Sequence, residues 1–422
     1  MRARPVAKEG TLTKKQPLRR REPLWLQSPR ISVVTRKRAP DATYDVVIVG
    51  AGISGALVAD ALSEKGLRLL VIDRRGPVRG STLASTAMIQ HEIDVPLTRL
   101  ASLRGQADAE RVWRRSAAAV EALAGRVGDL GLACDFHRKR TLFLAGDDMG
   151  SRALAAEAGA RQAAGLDCSL LSGADLSTRF GLSRSAAIDS DVSASANPAQ
   201  MAAGFLRLAR ERGATLVAGV EVTDIRSGAD EAILATADGS LIGASHVVFC
   251  TGYEFLSALS AGPQRIVSTF AMASRPKLKH PDWLNDYLVW EASDPYLYFR
   301  ATSDGRVIVG GEDEAGDEAY RDAKLAERKG RILAEKLGDL TGIRFGEPDH
   351  LWAAAFGTTP DGLPLIGRVP GMDRVFTAMG FGGNGITFSR IAADIISGEI
   401  VGKPDPDAPL FAIKAPPSAA KA

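Results

Sequence analysis

A βαβ pattern close to the start of the sequence constrains the fold more than any other feature. Residues 45–49 read Asp-Val-Val-Ile-Val, a β-branched run that is typical of a strand buried on both faces of a parallel sheet. A glycine-rich turn follows at once, then an apolar run with helical spacing over residues 56–62 and a second apolar strand over residues 67–72. Such a crossover between parallel strands is right-handed. The sequence therefore predicts an α/β domain with a parallel sheet.

The turn between the strand and the helix has the glycine spacing of a phosphate-binding loop. In such a loop Gly50 allows the tight turn, Gly52 lets the backbone approach a diphosphate, and Gly55 lets the helix pack close to the strand. The free N–H groups at the start of the helix then bind the diphosphate. Asp73 follows 23 residues after Gly50, where a carboxylate reaches the ribose hydroxyls. The combination predicts a Rossmann-like dinucleotide-binding domain, with NAD and FAD both open at this point.

Two later segments favour FAD over NAD. Just past the second strand, small and hydroxyl side chains at Gly80-Ser81-Thr82 and Ser85-Thr86 can border a flavin. Near the C-terminus, the glycine-rich loop Gly380–Gly385 leads into a helix whose first N–H groups can stabilise negative charge on a reduced flavin ring. An NAD-dependent dehydrogenase has no need for such a closing segment, so it is the least favoured alternative.

Composition argues against several other classes of protein. Apolar residues make up 45% of the 422 residues and charged residues 24%, as in soluble globular proteins. Three scattered cysteines without a Cys-x-x-Cys pair, and only five histidines, argue against a disulfide framework and a metal site. No stretch approaches the roughly 18 apolar residues of a membrane span. We expect a cytoplasmic protein of two domains without a metal.

The first 43 residues form a basic arm. They contain twelve Lys or Arg against three Asp or Glu, whereas the whole chain has a net charge of only +3. A cluster such as Leu18-Arg19-Arg20-Arg21 could contact nucleic acid or acidic lipid. We favour a solvated tail, or one that packs loosely on the body, so nucleic acid is not an expected partner.

Six segments occur along the chain in an order that is itself informative. They span residues 44–400 and are Val46 to Gly55, Gly80-Ser81-Thr82 with Ala84-Ser85-Thr86, Val248 to Gly252, Arg306 to Gly311, Asp361 to Gly367, and Phe376 to Ile386. This ordered set resembles the D-amino-acid oxidase, glycine oxidase and sarcosine oxidase family of flavoenzymes, the DAO family. The resemblance implies FAD, a cofactor domain built from discontinuous segments, and a mixed α+β substrate domain that contains an antiparallel sheet.

The resemblance also implies a division of the chain into domains. The expected ranges are 1–43 for the basic arm, 44–90, 197–265 and 345–403 for the FAD-binding domain, 91–196 and 266–344 for the substrate domain, and 404–422 for a loose tail. Within the substrate domain, alternating residues over 296–300 and 306–310 flank a Ser-Asp-Gly turn. This pattern predicts a hairpin of the antiparallel sheet.

The motifs and the resemblance together designate the cofactor contacts. The expected FAD-binding residues are Gly50, Gly52, Ile53, Ser54, Gly55, Asp73, Arg74, Ser81, Thr82, Ser85, Thr86, Val222, Thr251, Gly252, Gly382, Gly383, Asn384, Gly385 and Ile386. Members of the sarcosine oxidase type attach the flavin through a cysteine near the Asp-Gly motif. The corresponding segment here, residues 356–359, contains no cysteine. The resemblance therefore implies that FAD is bound non-covalently.

The reaction implied by the resemblance is oxidation of an amino acid or related amine at its C–N bond. A hydride passes from the α-carbon to the flavin N5, and the imine is hydrolysed in water. Arg300 stands where glycine-oxidase-like members place a cation for the substrate carboxylate, a role that suits a guanidinium. Tyr298 is a candidate pocket wall, and His91 could relay protons, with a structural role as the alternative for each. Phe356 departs from these members, which have a second arginine at this position.

Two other functions stay open on the sequence alone. FAD-dependent oxidation of a 2-hydroxy acid or polyol needs the same hydride geometry. A flavin-bearing interaction protein, recruited to a partner by the basic arm, is the third hypothesis. The leading hypothesis has a small-molecule amine or amino acid as substrate. The electron acceptor, which could be oxygen, a quinone or a protein, is not determined by the sequence.

Overall fold

The computed structural model describes residues 19–26, 29–254, 257 and 264–413. Within these residues the strands form two sheets, one of ten strands and one of eight. The strands are β1 Arg19–Arg20, β2 Tyr44–Val49, β3 Leu69–Asp73, β4 Met88–Gln90, β5 His137–Leu144, β6 Cys168–Ser172, β7 Ala186–Ser195, β8 Thr215–Ala218, β9 Val222–Ser227, β10 Ala232–Thr236, β11 Leu241–Gly252, β12 Arg265–Ala273, β13 Tyr287–Glu291, β14 Leu297–Ala301, β15 Val307–Ala315, β16 His350–Thr358, β17 Leu365–Arg368 and β18 Val375–Met379. The helices are α1 Ile53–Ser63, α2 Leu97–Arg104, α3 Gln106–Asp129, α4 Ser151–Ala163, α5 Gly173–Phe180, α6 Pro198–Glu211, α7 Ala323–Thr341, α8 Gly385–Ile400 and α9 Ala408–Phe411.

The eight-stranded sheet carries the glycine-rich loop. Its main strands run in the order β17-β18-β11-β2-β3-β8, and all neighbours from β18 to β8 are parallel. Val46, Val47 and Ile48 of β2 are fully buried, as the β-branched run predicts. Helices α1, α6 and α8 cover one face, and the antiparallel strands β9 and β10 extend from β11 over the other. The expected Rossmann-like α/β fold is confirmed.

The ten-stranded sheet is the second layer of the molecule. Its strands run in the order β1-β16-β12-β15-β14-β13-β5-β7-β4, with β6 beside β7. The predicted hairpin forms β14 and β15, with Arg300 opposite Ile308. One pair, β5 with β13, is parallel, so the sheet is mixed rather than wholly antiparallel. Helix α7 packs Leu333, Leu337 and Leu340 against one face. The expected mixed α+β part with an antiparallel sheet is confirmed.

Two strands cross the expected domain ranges. β4 lies in the first range of the FAD-binding domain, yet it pairs with β7 of the ten-stranded sheet. β16 lies in the last range of that domain, yet it pairs with β12 along its whole length. A strand pattern shows that a segment is extended, but the sheet that it joins depends on partners remote in sequence. These pairings bring residues of β4 and β16 to a cavity between the sheets.

The described part of the basic arm is docked on the body, which corrects the expectation of a solvated or loosely packed tail. β1 pairs with β16 at the edge of the ten-stranded sheet. Leu24 and Trp25 are buried, and the Trp25 indole donates to the Ser85 carbonyl oxygen at 2.7 Å. A short apolar run thus anchors a segment whose overall composition is basic. Residues 1–18, with Leu18 of the basic cluster, and residues 27–28 lie outside the described residues.

The start of the C-terminal tail is docked as well, which corrects its expected boundary at residue 404. α9 buries Leu410 and Phe411, and the Phe411 ring lies 6.5 Å from that of Phe388 on α8. Arg115 of α3 pairs with Asp405 at 2.8 Å. Apolar residues within a Pro-rich segment provide this attachment. Residues 414–422 lie outside the described part of the chain.

The substitution Trp25→Ala tests the contribution of the arm to stability. Replacing a buried tryptophan by alanine typically costs about 3–5 kcal/mol. We expect the free energy of unfolding to fall by about 3 kcal/mol, as measured by urea denaturation. Val34→Ala is the control, since Val34 is 61% exposed and such changes alter stability by about 0.5 kcal/mol or less. Equal stability of the two variants would show that the arm does not stabilise the body.

Candidate active site

A cavity of about 1750 Å³, counted with its open mouth, extends between the two sheets. One end lies at β3 and β9, the phosphate loop and residues 80–86 form the middle, and β13, β14 and β16 form the other end. All expected FAD contacts except Gly55 line it. They are Gly50, Gly52, Ile53, Ser54, Asp73, Arg74, Ser81, Thr82, Ser85, Thr86, Val222, Thr251, Gly252, Gly382, Gly383, Asn384, Gly385 and Ile386.

The glycines of the phosphate loop stand where no side chain fits. A Cβ on Gly50 would lie 2.2 Å from the Cys250 carbonyl oxygen, and one on Gly55 would lie 1.9 Å from the Gly50 carbonyl oxygen. Gly50 also has a φ of 114°, which favours glycine. Gly55 therefore sits behind the loop, where it allows α1 to approach β2. Residues 52–54, at the start of α1, line the cavity where helix N–H groups bind anions.

The carboxylate of Asp73 holds the two turns at the end of the parallel strands. Its Oδ2 accepts from the N–H of Ala51 at 2.9 Å, and its Oδ1 accepts from the N–H groups of Arg75 and Gly76 at 2.7 and 2.9 Å. Burial raises the pKa of Asp73, while these N–H donors oppose the shift. Asp73 thus shapes the phosphate loop and lines the cavity at the position where a ribose is bound in such folds.

The arginines at this end of the cavity are paired with carboxylates. Arg74 and Arg75 both contact the buried carboxylate of Glu254, and Arg75 Nη2 lies 2.7 Å from its Oε1. Arg74 Nη1 lies 3.6 Å from Glu221. Because their charges are balanced within the protein, this end suits the uncharged sugar and base of a dinucleotide.

The C-terminal glycine-rich loop Gly380–Gly385, called the closing loop below, is fixed to elements on both sides of the cavity. The side-chain amide of Asn384 donates to the Glu92 carbonyl oxygen, which follows β4. The hydroxyls of Ser54 and Ser389 lie 2.7 Å apart and join α1 to α8. The two helices whose N-termini reach the cavity are therefore held in one arrangement, so that the phosphate loop and the closing loop face a common space.

Asp94 occupies the space over the closing loop. Its Oδ2 accepts from the N–H of Gly383 at 2.7 Å. A Cβ on Gly382 would lie 2.5 Å from the same oxygen, so glycine at this position makes room for the carboxylate. Burial raises the pKa of Asp94, and the Gly383 N–H opposes the shift. The Asp94 carboxylate thus accepts from the Gly383 N–H, one of the backbone donors just before α8.

Tyr298 lines the end of the cavity at β14. Its ring stacks on that of Tyr296, with the centroids 5.8 Å apart and the planes at 30°. The Tyr296 hydroxyl donates to Asp313 Oδ2 at 2.9 Å. Burial raises the pKa of the Tyr298 hydroxyl, which therefore stays protonated at neutral pH. Burial also raises the pKa of Asp313 to about 6. This end combines two tyrosines with a carboxyl group that titrates near neutrality.

Arg300 does not line the cavity, contrary to the expectation that it binds a substrate carboxylate. Its Nε donates to the Thr86 carbonyl oxygen at 2.7 Å and its Nη2 to that of Ala196 at 3.2 Å. The guanidinium also lies 5.7 Å from the ring of Trp25. Burial lowers the pKa of Arg300 to about 10. Arg300 shares a face of β14 with Tyr298, but it lies two residues further on, beneath the arm. It connects β14 to neighbouring segments.

His91 also lies outside the cavity lining, although it was expected near the flavin edge. Its Nδ1 lies 2.8 Å from the Val192 carbonyl oxygen, and its ring packs edge-on against Trp113 with the centroids 6.1 Å apart. The residue is 1% exposed, and burial lowers its pKa, so the ring is neutral at neutral pH. These contacts give His91 a structural hydrogen-bonding role.

A buried ion cluster behind the cavity wall is absent from the expectations based on sequence. Arg161 lies between Glu92 and Glu157, with its Nε 2.9 Å from Glu157 Oε1, and all three side chains are 0% exposed. Glu92 Oε2 accepts from the indole of Trp290 at 2.7 Å, and Trp290 lines the cavity. Acidic residues between the apolar residues of the segment 88–97 were the available signal. Glu92 therefore orients part of the cavity wall.

A parallel sheet with a phosphate loop, a closing loop at a second helix N-terminus, and an aromatic end on an antiparallel sheet define a two-layer flavoenzyme. Residues 45–398 match the family model described as FAD dependent oxidoreductase, DAO. The chain belongs to this family. It is an FAD-dependent oxidoreductase, and the resemblance inferred from the sequence motifs is confirmed.

Two relatives and a solved structure are similar to most of the chain. A protein of Bacillus subtilis (strain 168), named as a Rieske 2Fe-2S iron-sulfur protein, is 21% identical over 381 residues, which are 88% of this chain and 71% of the relative. Glycine oxidase of Bacillus licheniformis is 24% identical over 372 residues, which are 86% of this chain and 94% of the relative. The crystal structure of glycine oxidase from Geobacillus kaustophilus superposes with a TM-score of 0.72 at 21% identity, covering 88% of this chain and 99% of that one. This last likeness is one of fold.

The residues present fit FAD. A Cβ on Gly52 would lie 3.0 Å from Thr82 Oγ1, so a side chain at this position would be crowded. Glycine leaves the backbone of the phosphate loop open to the approach of a diphosphate. Thr82 Oγ1 accepts from the Ile53 N–H at 3.0 Å and orders this approach. Asp73 would hold the ribose, and the loop at residues 382–386 would face the flavin. No helix in the described part of the chain has the length and apolar character that crossing a membrane requires.

The substitution Gly55→Ala tests the requirement for close packing behind the phosphate loop. The new methyl group would overlap the Gly50 carbonyl oxygen and push α1 away from β2. We expect the purified variant to lose most of its FAD, measured as flavin absorbance per protein. Gly125→Ala is the matched control, because Gly125 is a helical glycine with nothing within 4 Å of the added methyl. A Gly55→Ala protein with a full complement of FAD would contradict this account.

Asp313 gives a pH-dependent contribution to stability. Its pKa rises from the ordinary value of 3.8 to about 6 in the folded state, so folding favours the protonated form. The stability that protonation provides is complete below pH 3.8 and is lost as the pH rises through 6. We compare the free energy of unfolding of Asp313→Asn with that of the parent protein. We expect this difference to be about 2–3 kcal/mol more favourable to the variant at pH 8 than at pH 4. Urea denaturation at both pH values measures this difference, and Asp230→Asn, a change at an exposed residue, should show none.

Proposed function

We propose that the protein oxidises the C–N bond of an amino acid or related amine, with FAD bound non-covalently. The supporting observation is the continuity of one cavity from the phosphate loop to an aromatic end at Trp290 and Tyr298. A relative and a matched structure that bear the name glycine oxidase favour amines over other flavoenzyme substrates. Among the described lining residues Cys250 is the only cysteine, and burial raises its pKa to about 12, so it is a poor nucleophile for flavin attachment.

The aromatic end positions the substrate and excludes water from it. Trp290, Tyr298 and Phe356 line this end. Trp290 is fixed by its hydrogen bond to Glu92, and Tyr298 is fixed by stacking on Tyr296. Walls held in this way keep a small amine in one orientation, which is the main protein contribution to hydride transfer. When bound, FAD supplies the hydride acceptor at its N5.

The protein also contains a group that can take up the proton of the amine. An amine can release a hydride from its carbon only after the nitrogen has lost its extra proton, because the lone pair forms the new C=N bond. With its pKa raised to about 6, Asp313 is mostly ionised at neutral pH, and its Oδ2 accepts from the hydroxyl of Tyr296, which lines the cavity. A proton released by the amine can pass through this hydroxyl to the carboxylate. We assign this pair as the proton acceptor on the substrate side. The imine then leaves the aromatic end and is hydrolysed in water.

An anaerobic substrate screen tests the proposed reaction. The FAD-loaded protein is titrated without oxygen with amino acids, simple amines, 2-hydroxy acids and polyols, and the long-wavelength flavin absorbance is followed. We expect bleaching by at least one amine or amino acid, with a carbonyl compound as product, and none by the hydroxy compounds. Bleaching by 2-hydroxy acids or polyols alone would overturn the proposal in favour of alcohol oxidation.

A further inference from the structure

None of the described residues that line the aromatic end of the cavity, where the substrate is proposed to bind, is a cation. Among the described residues that line the cavity, Arg74 and Arg75 are the only basic ones, and both pair with Glu254 at the opposite end. Arg300 is occupied by backbone carbonyls. Residues 255–263, which follow the cavity-lining segment of β11, include no Lys, Arg or His in their sequence. A substrate carboxylate would therefore find no positively charged partner among the described residues at this end.

Asp94 places negative charge at the same end. Its carboxylate lines the cavity, and its Oδ1 would lie 2.8 Å from a Cβ on Gly383. Asp94 is exposed and belongs to the cavity lining, so its carboxylate is accessible to a ligand in the cavity. Asp94 forms no ion pair with any described residue, and its hydrogen-bond partner is the Gly383 N–H. The charge of Asp94 contributes to the raised pKa values of Tyr253, Tyr296 and Asp313. Asp94 therefore belongs to the same part of the cavity as these residues.

Gln90 adds an unused hydrogen-bond acceptor. It lines the cavity, is 6% exposed, and its Oε1 has no hydrogen-bond partner within the described part of the chain. Its Nε2 faces the Glu92 carbonyl oxygen at 3.5 Å, which assigns the two ends of the amide, since two acceptors do not face each other. A buried oxygen without a donor is unfavourable, so a ligand with an N–H group would be stabilised there.

We propose that the substrate is a cationic amine without an acid group on the carbon that is oxidised, and that it is recognised by N–H donation to Asp94 and Gln90. This inference rests on the proposed amine oxidation and narrows its substrate class. A carboxylate on the reacting carbon would face Asp94 with no described cation between them, and like charges that meet in a cavity repel each other. An amine instead gains a charge-assisted hydrogen bond. Phe356 provides an apolar wall for the hydrocarbon part of such a substrate.

Matched pairs of ligands test the substrate class. Each pair differs by one carboxylate: 1,4-diaminobutane with ornithine, 2-phenylethylamine with phenylalanine, and dimethylamine with sarcosine. The FAD-loaded protein is titrated without oxygen, and the readout is the concentration that gives half of the spectral change of the flavin, whether perturbation or bleaching. A shift of the melting temperature under the same conditions is the second readout. We expect the amine of at least one pair to act at a concentration about 30-fold lower than its amino acid.

The outcomes separate this inference from the proposed function. If amino acids act at equal or lower concentrations than their amines in every pair, the recognition by Asp94 is overturned while amine oxidation stands. If no member of any pair changes the flavin spectrum or the melting temperature, the recognition is likewise overturned. If 2-hydroxy acids alone bleach the flavin, both the inference and the proposed function fall.

Two variants test whether Asp94 and Gln90 cause the preference for amines over amino acids. Asp94→Asn keeps the shape but removes the charge, and we expect the half-saturating amine concentration to rise about 30-fold or more. Gln90→Leu removes only a neutral acceptor and should raise it about fivefold. Glu318→Gln is the control, because it removes the same charge from a side chain that is 88% exposed, and it should leave the value unchanged.

FAD content is measured for each variant, so that a loss of cofactor is distinguished from a loss of recognition. Should Asp94→Asn lose FAD, Gln90→Leu provides the independent measurement. Amine binding by FAD-loaded Asp94→Asn and Gln90→Leu that equals that of the parent protein would overturn the assignment.

Discussion

The buried carboxylate of Glu92 is the interaction on which the geometry of the site depends. Its side chain accepts from Trp290 on the substrate wall, and its backbone carbonyl accepts from Asn384 at the start of α8. Glu92 therefore fixes the position of Trp290, on the ten-stranded sheet, relative to the closing loop of the cofactor site. Arg161 balances the charge in the interior, where an unpaired carboxylate would be strongly destabilising. The position of Trp290 relative to the loop before α8 is therefore fixed by a contact in the protein interior.

The cofactor side could be predicted from sequence because its determinants are local. The strand, turn and helix of residues 45–62 follow one another directly, and the contacts that require Gly50 and Gly55 lie within that unit or on the adjoining strand. Asp73 is placed by the length of one crossover. Because these residues are close in sequence, their spacing along the chain determines where they lie in the fold. The motif therefore predicts both the fold and the lining of the cavity.

The substrate side could not be predicted in the same way because its determinants are remote in sequence. Tyr298 and Arg300 share one face of a strand, but Tyr298 lines the cavity whereas Arg300 lies against Trp25 of the arm and the carbonyls of Thr86 and Ala196. Nothing in the local pattern of β14 contains this information. In the segment after β4 the histidine drew the functional prediction, whereas the neighbouring Glu92 and Asp94 carry the contacts. A carboxylate within an apolar run is the sequence feature that could have identified them.

The pairing of β1 with β16 has a consequence for how the chain folds during synthesis. Arg19 lies opposite Ala354, so the first described strand has no partner until the chain has been synthesised beyond residue 354. Contacts of such sequence separation form slowly, because a very long loop must close first. The eight-stranded sheet also needs β18, which is made later still and joins β17 to β11. Neither sheet is therefore complete before these late strands have been synthesised, and the cavity between the sheets forms only after them.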